Sequence, residues 1–366
     1  MTFIDQQPAF DRAMQDVRAH PVLAVDTEAD SLHSYFDKVC LIQMSVPQLD
    51  LVVDPLAKID LAKFGETLAD PKVTKILHGA DYDLRILHRD FNFTIANLID
   101  TSICAQLLGY EAFGLAALLE RHFGLKVDKS HQRADWAMRP LTPDMLDYAT
   151  MDTRYLIALA DKLREELTAL SRWEWALEEF ARLEQVRFTE RDDEGEPFRR
   201  LKGLGALDRR SLAIIRSLHA WRDQLARAAD RPPFKIIGND AILEIAKTKA
   251  ASLDALKELK SVAQYHRNRY GKEIVRLVNG ALALDESQLP EKSESKPWQR
   301  DKEVEARVNK LKTVRDRIAK ELKIDVAILA PRHVLSAVAA NGTLDVPAMR
   351  EWQKRVLGDA LLKALA

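Results

Sequence analysis

The sequence predicts a mixed α/β domain followed by two small all-helical bundles. Short β-branched segments bounded by turn residues occupy much of the first 80 residues, and the last of them passes directly into a helical pattern. A strand that leads into a helix is typical of a mixed sheet with helices packed on it. Beyond about residue 205 only helical periodicity occurs.

Two polar stretches predict the domain boundaries. Residues 189–197 and 286–297 are rich in charge and contain Pro or Gly, which is typical of linkers. They divide the chain of 366 residues into domains at 1–188, 205–285 and 298–366, in agreement with about 100 to 200 residues per domain. The hydrophobic fraction of 47% excludes a disordered or fibrous chain.

The elements follow from the apolar spacing in chain order. Strands are expected at 22–27, 39–46 and 49–53, in antiparallel succession, and at 73–77. Helices are expected from residue 81, from residue 102 onward including 115–123, and along a continuous stretch at 143–186. The later domains are expected to contain helices at 210–227, 240–247, 271–284 and 301–322.

The composition indicates a cytoplasmic protein. No stretch approaches about 20 consecutive apolar residues, so no membrane contact is expected, and the start of the chain lacks the features of a signal peptide. The two cysteines, Cys40 and Cys104, lie in apolar contexts without metal-ligand spacing. We expect both to be buried free thiols.

The formal net charge of -1 conceals a strong asymmetry along the chain. Residues 1–185 carry a net charge of -11, whereas 186–280 carry +7 and the remaining residues carry +3. This distribution favours a polyanion as partner, although ordinary solvated helices also account for it.

Four carboxylates and one tyrosine are the candidate site residues. Asp26 and Glu28 are two residues apart at the end of a strand, so both side chains point to one face. Tyr148 and Asp152 are four residues apart and share one helical face. Asp83 begins a helix, where the helix dipole stabilises a carboxylate. Each feature alone also has a purely structural explanation.

The order of these residues carries more information than any one of them. The segments VDTEAD, HGADYDLRIL, LIDT, DWAMRPL and YATMDTRYL follow one another across the first domain. In this order they resemble the motifs of the DEDD exonucleases of the ribonuclease H-like fold, and more narrowly those of bacterial ribonuclease D. Tyr148 stands four residues before the last Asp, which fits the tyrosine subclass. The histidine subclass has its base one position earlier, where this chain has Asp147.

The resemblance implies that Asp26, Glu28, Asp83 and Asp152 bind two divalent cations, Mg²⁺ or Mn²⁺, and that Tyr148 holds the attacking water. Two such cations lower the pKa of the attacking water and stabilise the leaving 3′ oxygen of a phosphodiester. Hard cations prefer carboxylate oxygens, in agreement with this set of residues. A tyrosine, with an ordinary pKa of about 10, is better suited to positioning water than to acting as a base. No small-molecule cofactor is expected.

The predicted activity is a 3′ to 5′ exoribonuclease that releases 5′-mononucleotides and trims RNA with a free 3′ end, such as tRNA precursors. The preference for RNA follows from the resemblance alone, since no residue is identified as a reader of the 2′-hydroxyl. The alternatives are a DNA exonuclease of the same fold and a non-catalytic nucleic-acid-binding adaptor.

Two residues near the motifs have open roles. His78 either contacts the nucleic acid or closes the turn before the helix at residue 81. Trp136 either stacks on a base or packs in the core. Asp100, in the LIDT segment, is expected to form hydrogen bonds within the fold.

The helical part of the chain also resembles a known module. Residues 207–284 resemble the HRDC domain, a small helical bundle that commonly binds nucleic acid or partners. Many such modules have a Gly-containing turn where this chain reads ELKSV at 258–262, so phosphate contacts are expected instead from basic residues that include Arg267, Arg269 and Lys272. The last domain is expected to be a second, more divergent HRDC-like bundle, whose charged helix is either an RNA-binding face or a solvated, salt-bridged one.

Overall fold

The computed structural model describes residues 1–128, 130–190, 196–292 and 301–365. Contacts between residues divide the chain into two compact units. The first comprises 1–29, 39–188 and the described part of 299–366, and the second comprises 30–38 and the described part of 189–298. Most of the predicted linker at 189–197 and the end of the one at 286–297 lie outside the described residues. No helix in the described ranges has both the length and the hydropathy of a membrane span.

A six-stranded mixed sheet forms the centre of the first unit, in the order β1-β4-β3-β2-β5-β6. β2 pairs antiparallel with β3, and β3 pairs antiparallel with β4, which confirms the predicted succession. The other three pairs are parallel. The strands are Thr2–Ile4 (β1), Val22–Ala29 (β2), Val39–Val46 (β3), Leu49–Val53 (β4), Thr74–Leu77 (β5) and Leu98–Asp100 (β6).

Eight α-helices accompany the sheet among the described residues up to position 188. The predicted continuous stretch at 143–186 forms three helices, because the chain turns at Tyr155 and again at Ser171, whose φ of 56° is left-handed. The helices are Gln7–Arg18 (α1), Ala62–Ala69 (α2), Asp81–Phe91 (α3), Thr101–Leu108 (α4), Leu115–Phe123 (α5), Pro143–Arg154 (α6), Leu156–Ala169 (α7) and Trp173–Leu183 (α8).

Apolar cores lie against the sheet. One contains residues of α1, α2 and α3, such as Phe10 and Phe64. Another joins α4, α7 and α8 to the C-terminal helices in a single cluster of buried residues. Those helices are Lys302–Leu322 (α14), Val326–Leu329 (α15), Arg332–Asn341 (α16) and Glu351–Leu365 (α17). Cys40 and Cys104 are buried free thiols, as expected.

The second unit contains a helical bundle with its own apolar core. Its helices are Arg209–Ala228 (α9), Pro233–Ile236 (α10), Asn239–Thr248 (α11), Leu253–Lys257 (α12) and Gln264–Leu282 (α13). Segment 30–38, which belongs to this unit, is held by the bundle. Asp230 accepts hydrogen bonds from the amides of Tyr35 and Phe36 at 3.0 and 3.1 Å, and Asp223 accepts the Tyr35 hydroxyl at 2.9 Å. The mixed sheet, the helices that accompany it and the helical C-terminal half of the chain confirm the predicted fold class.

Candidate active site

Three carboxylates meet where the end of β2 lies near α6. Asp26 and Glu28 project from the same face of β2, and Asp152 lies in the last turn of α6. One oxygen from each of the three lies within 4.8 Å of the others, which is close enough for all three to bind one cation. The structure therefore brings together three of the four carboxylates that the motifs predict.

Polar contacts fix α6 on the sheet and so determine where Asp152 lies. The helix begins after Thr142, whose hydroxyl accepts the amide of Met145 at 3.2 Å. At its other end, Thr153 contacts the hydroxyl of Ser45 on β3 at 2.8 Å, and Arg154 pairs with Asp50 on β4 at 2.7 Å. The position of Asp152 is thus set by the residues that directly follow it.

Asp83, the fourth carboxylate, is buried in the first turn of α3. It lies outside the group of three, and one of its oxygens accepts a hydrogen bond from the hydroxyl of Thr27, between Asp26 and Glu28 on β2. The turn before α3 is held by Asp100, which accepts the amides of Gly79 and Ala80 at 3.0 and 2.8 Å. Asp100 also caps α4, so it forms the expected hydrogen bonds within the fold.

Burial and repulsion between negative charges raise the pKa values of all four carboxyl groups. Burial, with the charges of Asp83, Asp152 and Glu28, raises the pKa of Asp26 well above its usual range. Burial, and then repulsion from Asp152 and Asp83, raises the pKa of Glu28 to about 9. Burial, and then repulsion from Asp83, raises the pKa of Asp152 to about 7. Burial also raises the pKa of Asp83 to about 6, although the hydrogen bond from Thr27 opposes the rise. Clustered carboxylates without cysteine or histidine are the donors that Mg²⁺ and Mn²⁺ prefer, so these residues fit such ions.

Tyr148, on α6, lies between two other aromatic rings. Its ring centroid is 6.0 Å from that of Trp136 and 5.9 Å from that of His131. Burial, and then the negative charges of Asp152 and Glu28, raise the pKa of the phenol above its ordinary value, so it is protonated at neutral pH. A cavity of about 340 Å³ adjoins the ring. A protonated phenol beside a cavity is suited to orienting a water molecule rather than to removing its proton.

The two residues with open roles are both involved in packing. Nδ1 of His78 lies 2.9 Å from the hydroxyl of Thr101, and burial lowers the pKa of the imidazole. Trp136 is only 1% exposed and packs with Leu41 and Met145, which leaves no ring face for a base in this structure. These contacts match the structural alternatives, turn closure and core packing.

The predicted phosphate contacts lie on α13, in the second unit. Arg267 is half-buried and donates to the carbonyl of Val262, so part of its guanidinium is occupied within the bundle. Arg269 is exposed and donates to the Tyr270 hydroxyl at 3.0 Å, and Lys272 is exposed.

The sequence patterns do not indicate two further contributors to the site. One is Thr27, whose hydroxyl acts on Asp83, 56 residues away in the chain. The other is Arg139, which lies in the DWAMRPL segment. It pairs with Asp54 at 2.6 Å and donates to the carbonyls of Cys40 and Trp136 at 2.9 and 2.7 Å, thereby fixing the segment before α6 against the sheet. Its presence in a motif was the available signal.

The chain is similar to known proteins along nearly its whole length. A 3′–5′ exonuclease family model matches residues 1–168, and an HRDC domain model matches residues 211–278. A ribonuclease D of Gluconacetobacter diazotrophicus is 30% identical over 352 residues, which cover 95% of this chain and 88% of the relative.

Solved structures share the fold along the whole chain. A protein from Bifidobacterium adolescentis is 27% identical with a TM-score of 0.82, and the match covers 100% of this chain and 97% of that one. The Escherichia coli RNase D structure, described as that of an exoribonuclease involved in structured RNA processing, is 27% identical with a TM-score of 0.71, covering 100% and 98%. Because the similarity to ribonuclease D extends over nearly the full length of both proteins, the chain belongs to the ribonuclease D family and is a 3′–5′ exoribonuclease.

Proposed function

We propose that this exoribonuclease holds two divalent cations, Mg²⁺ or Mn²⁺, on Asp26, Glu28, Asp83 and Asp152, and trims the 3′ ends of structured RNA such as tRNA precursors. The observation that carries the proposal is the carboxylate cluster, whose three closest members have oxygens within 4.8 Å of one another. When bound, the cations would lower the pKa of the attacking water and stabilise the leaving 3′ oxygen.

The residues of the chain supply orientation. The carboxylates bind the cations, and the protonated phenol of Tyr148 hydrogen-bonds the attacking water and aligns it with the terminal phosphodiester. Cleavage of the bond to the 3′ oxygen releases a 5′-mononucleotide and leaves a new 3′ hydroxyl for the next cycle. The family resemblance and the arrangement of Tyr148 beside Asp152 support this division of roles.

Contacts with the body of the RNA are assigned to the second unit. Arg269 and Lys272 are exposed on α13, where their positively charged side chains can contact phosphates and give affinity without sequence preference. Structured RNA as substrate is supported by the similarity to Escherichia coli RNase D, which is an exoribonuclease involved in structured RNA processing. The division of the sequence into domains at 1–188, 205–285 and 298–366 belongs to the same proposal, with the described helices of the last domain packed in one core with the first. So does the cytoplasmic location, which fractionation of cells producing the chain tests.

The test follows a 5′-labelled single-stranded RNA with a free 3′ hydroxyl in the presence of Mg²⁺ or Mn²⁺. We expect a ladder that shortens from the 3′ end and disappears with EDTA or with Asp26→Asn. Asp16→Asn, which removes the same charge from an exposed position on α1, is the matched control and should leave the ladder unchanged. A tRNA precursor with a 3′ extension and a DNA strand of equal length are compared under the same conditions.

The outcomes separate the parts of the proposal. Activity that survives Asp26→Asn would show that the carboxylate cluster does not bind the cations needed for the reaction. Equal activity on DNA and RNA would remove the RNA preference, and failure to shorten the tRNA precursor would remove that substrate alone.

A further inference from the structure

Gln43, on the sheet that carries the carboxylates, has a buried side-chain amide that forms no hydrogen bond with any described residue. The side chain is 0% exposed, and neither Nε2 nor Oε1 has a hydrogen-bond partner among the described residues. Gln43 lies on β3 directly opposite Asp26 of β2. Directly opposed residues in an antiparallel pair project from the same face, with Cβ atoms about 4.5–5.5 Å apart. The side chains of Gln43 and Asp26 therefore start from adjacent positions on one face of the sheet.

The same face of β3 is covered by α6. Two residues before Gln43, Leu41 packs in a cluster with Met145 and Ala149 of α6. Two residues after it, Ser45 contacts Thr153 at 2.8 Å. Gln43 lies between these two contacts, so its amide is enclosed between the sheet and the helix that carries Tyr148 and Asp152.

Folding stability does not explain a glutamine at this position. An unpaired buried amide destabilises the folded state, whereas an apolar side chain of similar size would fill the space without that penalty. The remaining residues of β3 are apolar except Ser45, which has hydrogen-bond partners. Locally unfavourable groups of this kind are concentrated at functional sites.

We propose that Gln43 is a positioning residue of the exonuclease, whose amide N–H donates to the Asp26 carboxylate and holds it in the orientation that binds a cation. The terminal torsion of a glutamine is broad, so the amide can turn toward Asp26 at little cost. Partners that orient metal ligands contribute about 10- to 100-fold to metal affinity or activity. The inference rests on the metal-binding role of Asp26 proposed above.

The test replaces Gln43 by methionine, an apolar side chain of similar length. Gln43→Met should raise the melting temperature of the metal-free protein, because it removes the unpaired amide. It should also weaken Mn²⁺ binding about 10-fold in a titration of the protein alone, and lower kcat about 10- to 100-fold with KM for RNA unchanged. Gln43→Asn, which keeps a shorter amide, should give intermediate Mn²⁺ affinity and decides the question if the methionine variant does not fold.

Gln353→Met is the matched control, since Gln353 is an equally buried glutamine on α17 whose side-chain amide is paired with the carbonyl of Ile328 and the amide of Arg350. It removes those hydrogen bonds, so it should lower the melting temperature while leaving Mn²⁺ affinity nearly unchanged. A Gln43→Met variant that melts lower and binds Mn²⁺ as the wild type does would overturn the inference, as would a wild type that binds no Mn²⁺. A wild type that binds Mn²⁺ but does not shorten RNA would contradict the proposed function, and the titration would still decide the role of Gln43.

Discussion

At the scale of single residues, the variant Tyr148→Phe distinguishes catalysis from RNA binding. The phenol lies beside Asp152 in the carboxylate site, where its hydroxyl is the only group lost in Tyr148→Phe. We expect kcat to fall by about 10²-fold, because a positioned water is lost, while the Kd for RNA changes less than twofold. Single-turnover kinetics and equilibrium binding on the same RNA measure the two effects. A large loss of RNA binding would contradict the orienting role.

Thr27 gives the site a pH dependence that can be tested. Its hydroxyl donates to Asp83 and opposes the burial that raises the pKa of this carboxyl to about 6. Thr27→Val should raise that pKa further, so that at pH 6–7 protons compete more strongly with the cation for Asp83. The Mn²⁺ concentration that gives half-maximal activity should therefore increase at pH 6–7 and approach the wild-type value near pH 9.

Thr27→Ser is the control for this pH effect, because it keeps the hydroxyl and should follow the wild type. A deficit of Thr27→Val that is equal at pH 6.5 and pH 9 would show that packing, and not the hydrogen bond, accounts for the change.

Local periodicity accounts for much of the site, and tertiary contacts account for the rest. Alternation along β2 places Asp26 beside Glu28, and helical spacing places Tyr148 near Asp152. The contact between Thr27 and Asp83 depends on how α3 packs on the sheet, so no local pattern indicates it. For the same reason, no local pattern indicates that the side-chain amide of Gln43 lacks a hydrogen-bond partner among the described residues, since its surroundings come from β2 and α6 together.

At the scale of elements, segment 30–38 is held by a few specific contacts with α9 and the residues after it. Asp230 accepts the amides of Tyr35 and Phe36, and Arg227 lies 5.5 Å from the centroids of both rings. Asp230→Gly removes the acceptor while tolerating the left-handed φ of 44° at this position. We expect faster hydrogen exchange at the Tyr35 and Phe36 amides, because their acceptor is lost.

Two variants serve as controls for that exchange experiment. Asp230→Asn keeps an oxygen acceptor and should retain most of the protection. Tyr35→Phe removes the hydroxyl with its contact to Asp223 but leaves Asp230 as acceptor, so the amides should stay protected. Unchanged exchange in Asp230→Gly would show that these hydrogen bonds do not hold the segment.

Elements with strong patterns were predicted best. Strands 39–46 and 49–53 and the helix at 115–123 have the predicted bounds, because turn residues or glycine stand at their ends. The strands β1 and β6 have three residues each, too few for a periodic signal. The stretch 143–186 has apolar spacing that persists across its turns, so it predicts a continuous helical stretch. The left-handed residue at the second turn is Ser171 and not a glycine, so no glycine indicates the break.

At the scale of the whole molecule, the C-terminal helices share a core with the catalytic fold. Trp352 of α17 stacks on Trp175 of α8 with ring centroids 4.9 Å apart, and its indole N–H donates to Glu179 at 2.8 Å. Arg172 donates to the carbonyls of Leu107 and Leu322 at 2.8 and 2.7 Å. Periodicity predicts these helices but not their partners, because an amphipathic face does not specify what covers it.

This shared core predicts how the molecule melts. Trp352 is fully buried, and Trp352→Ala should cost about 3–5 kcal/mol. Because the helices around it belong to the unit that contains the carboxylates, we expect the variant to lower the calorimetric transition that Mn²⁺ stabilises. Phe198→Ala, an equally buried aromatic in the core of the second unit, is the matched control and should leave that transition in place. If Trp352→Ala left the Mn²⁺-dependent transition unchanged and lowered a separate one, residues 301–365 would fold independently of the catalytic domain.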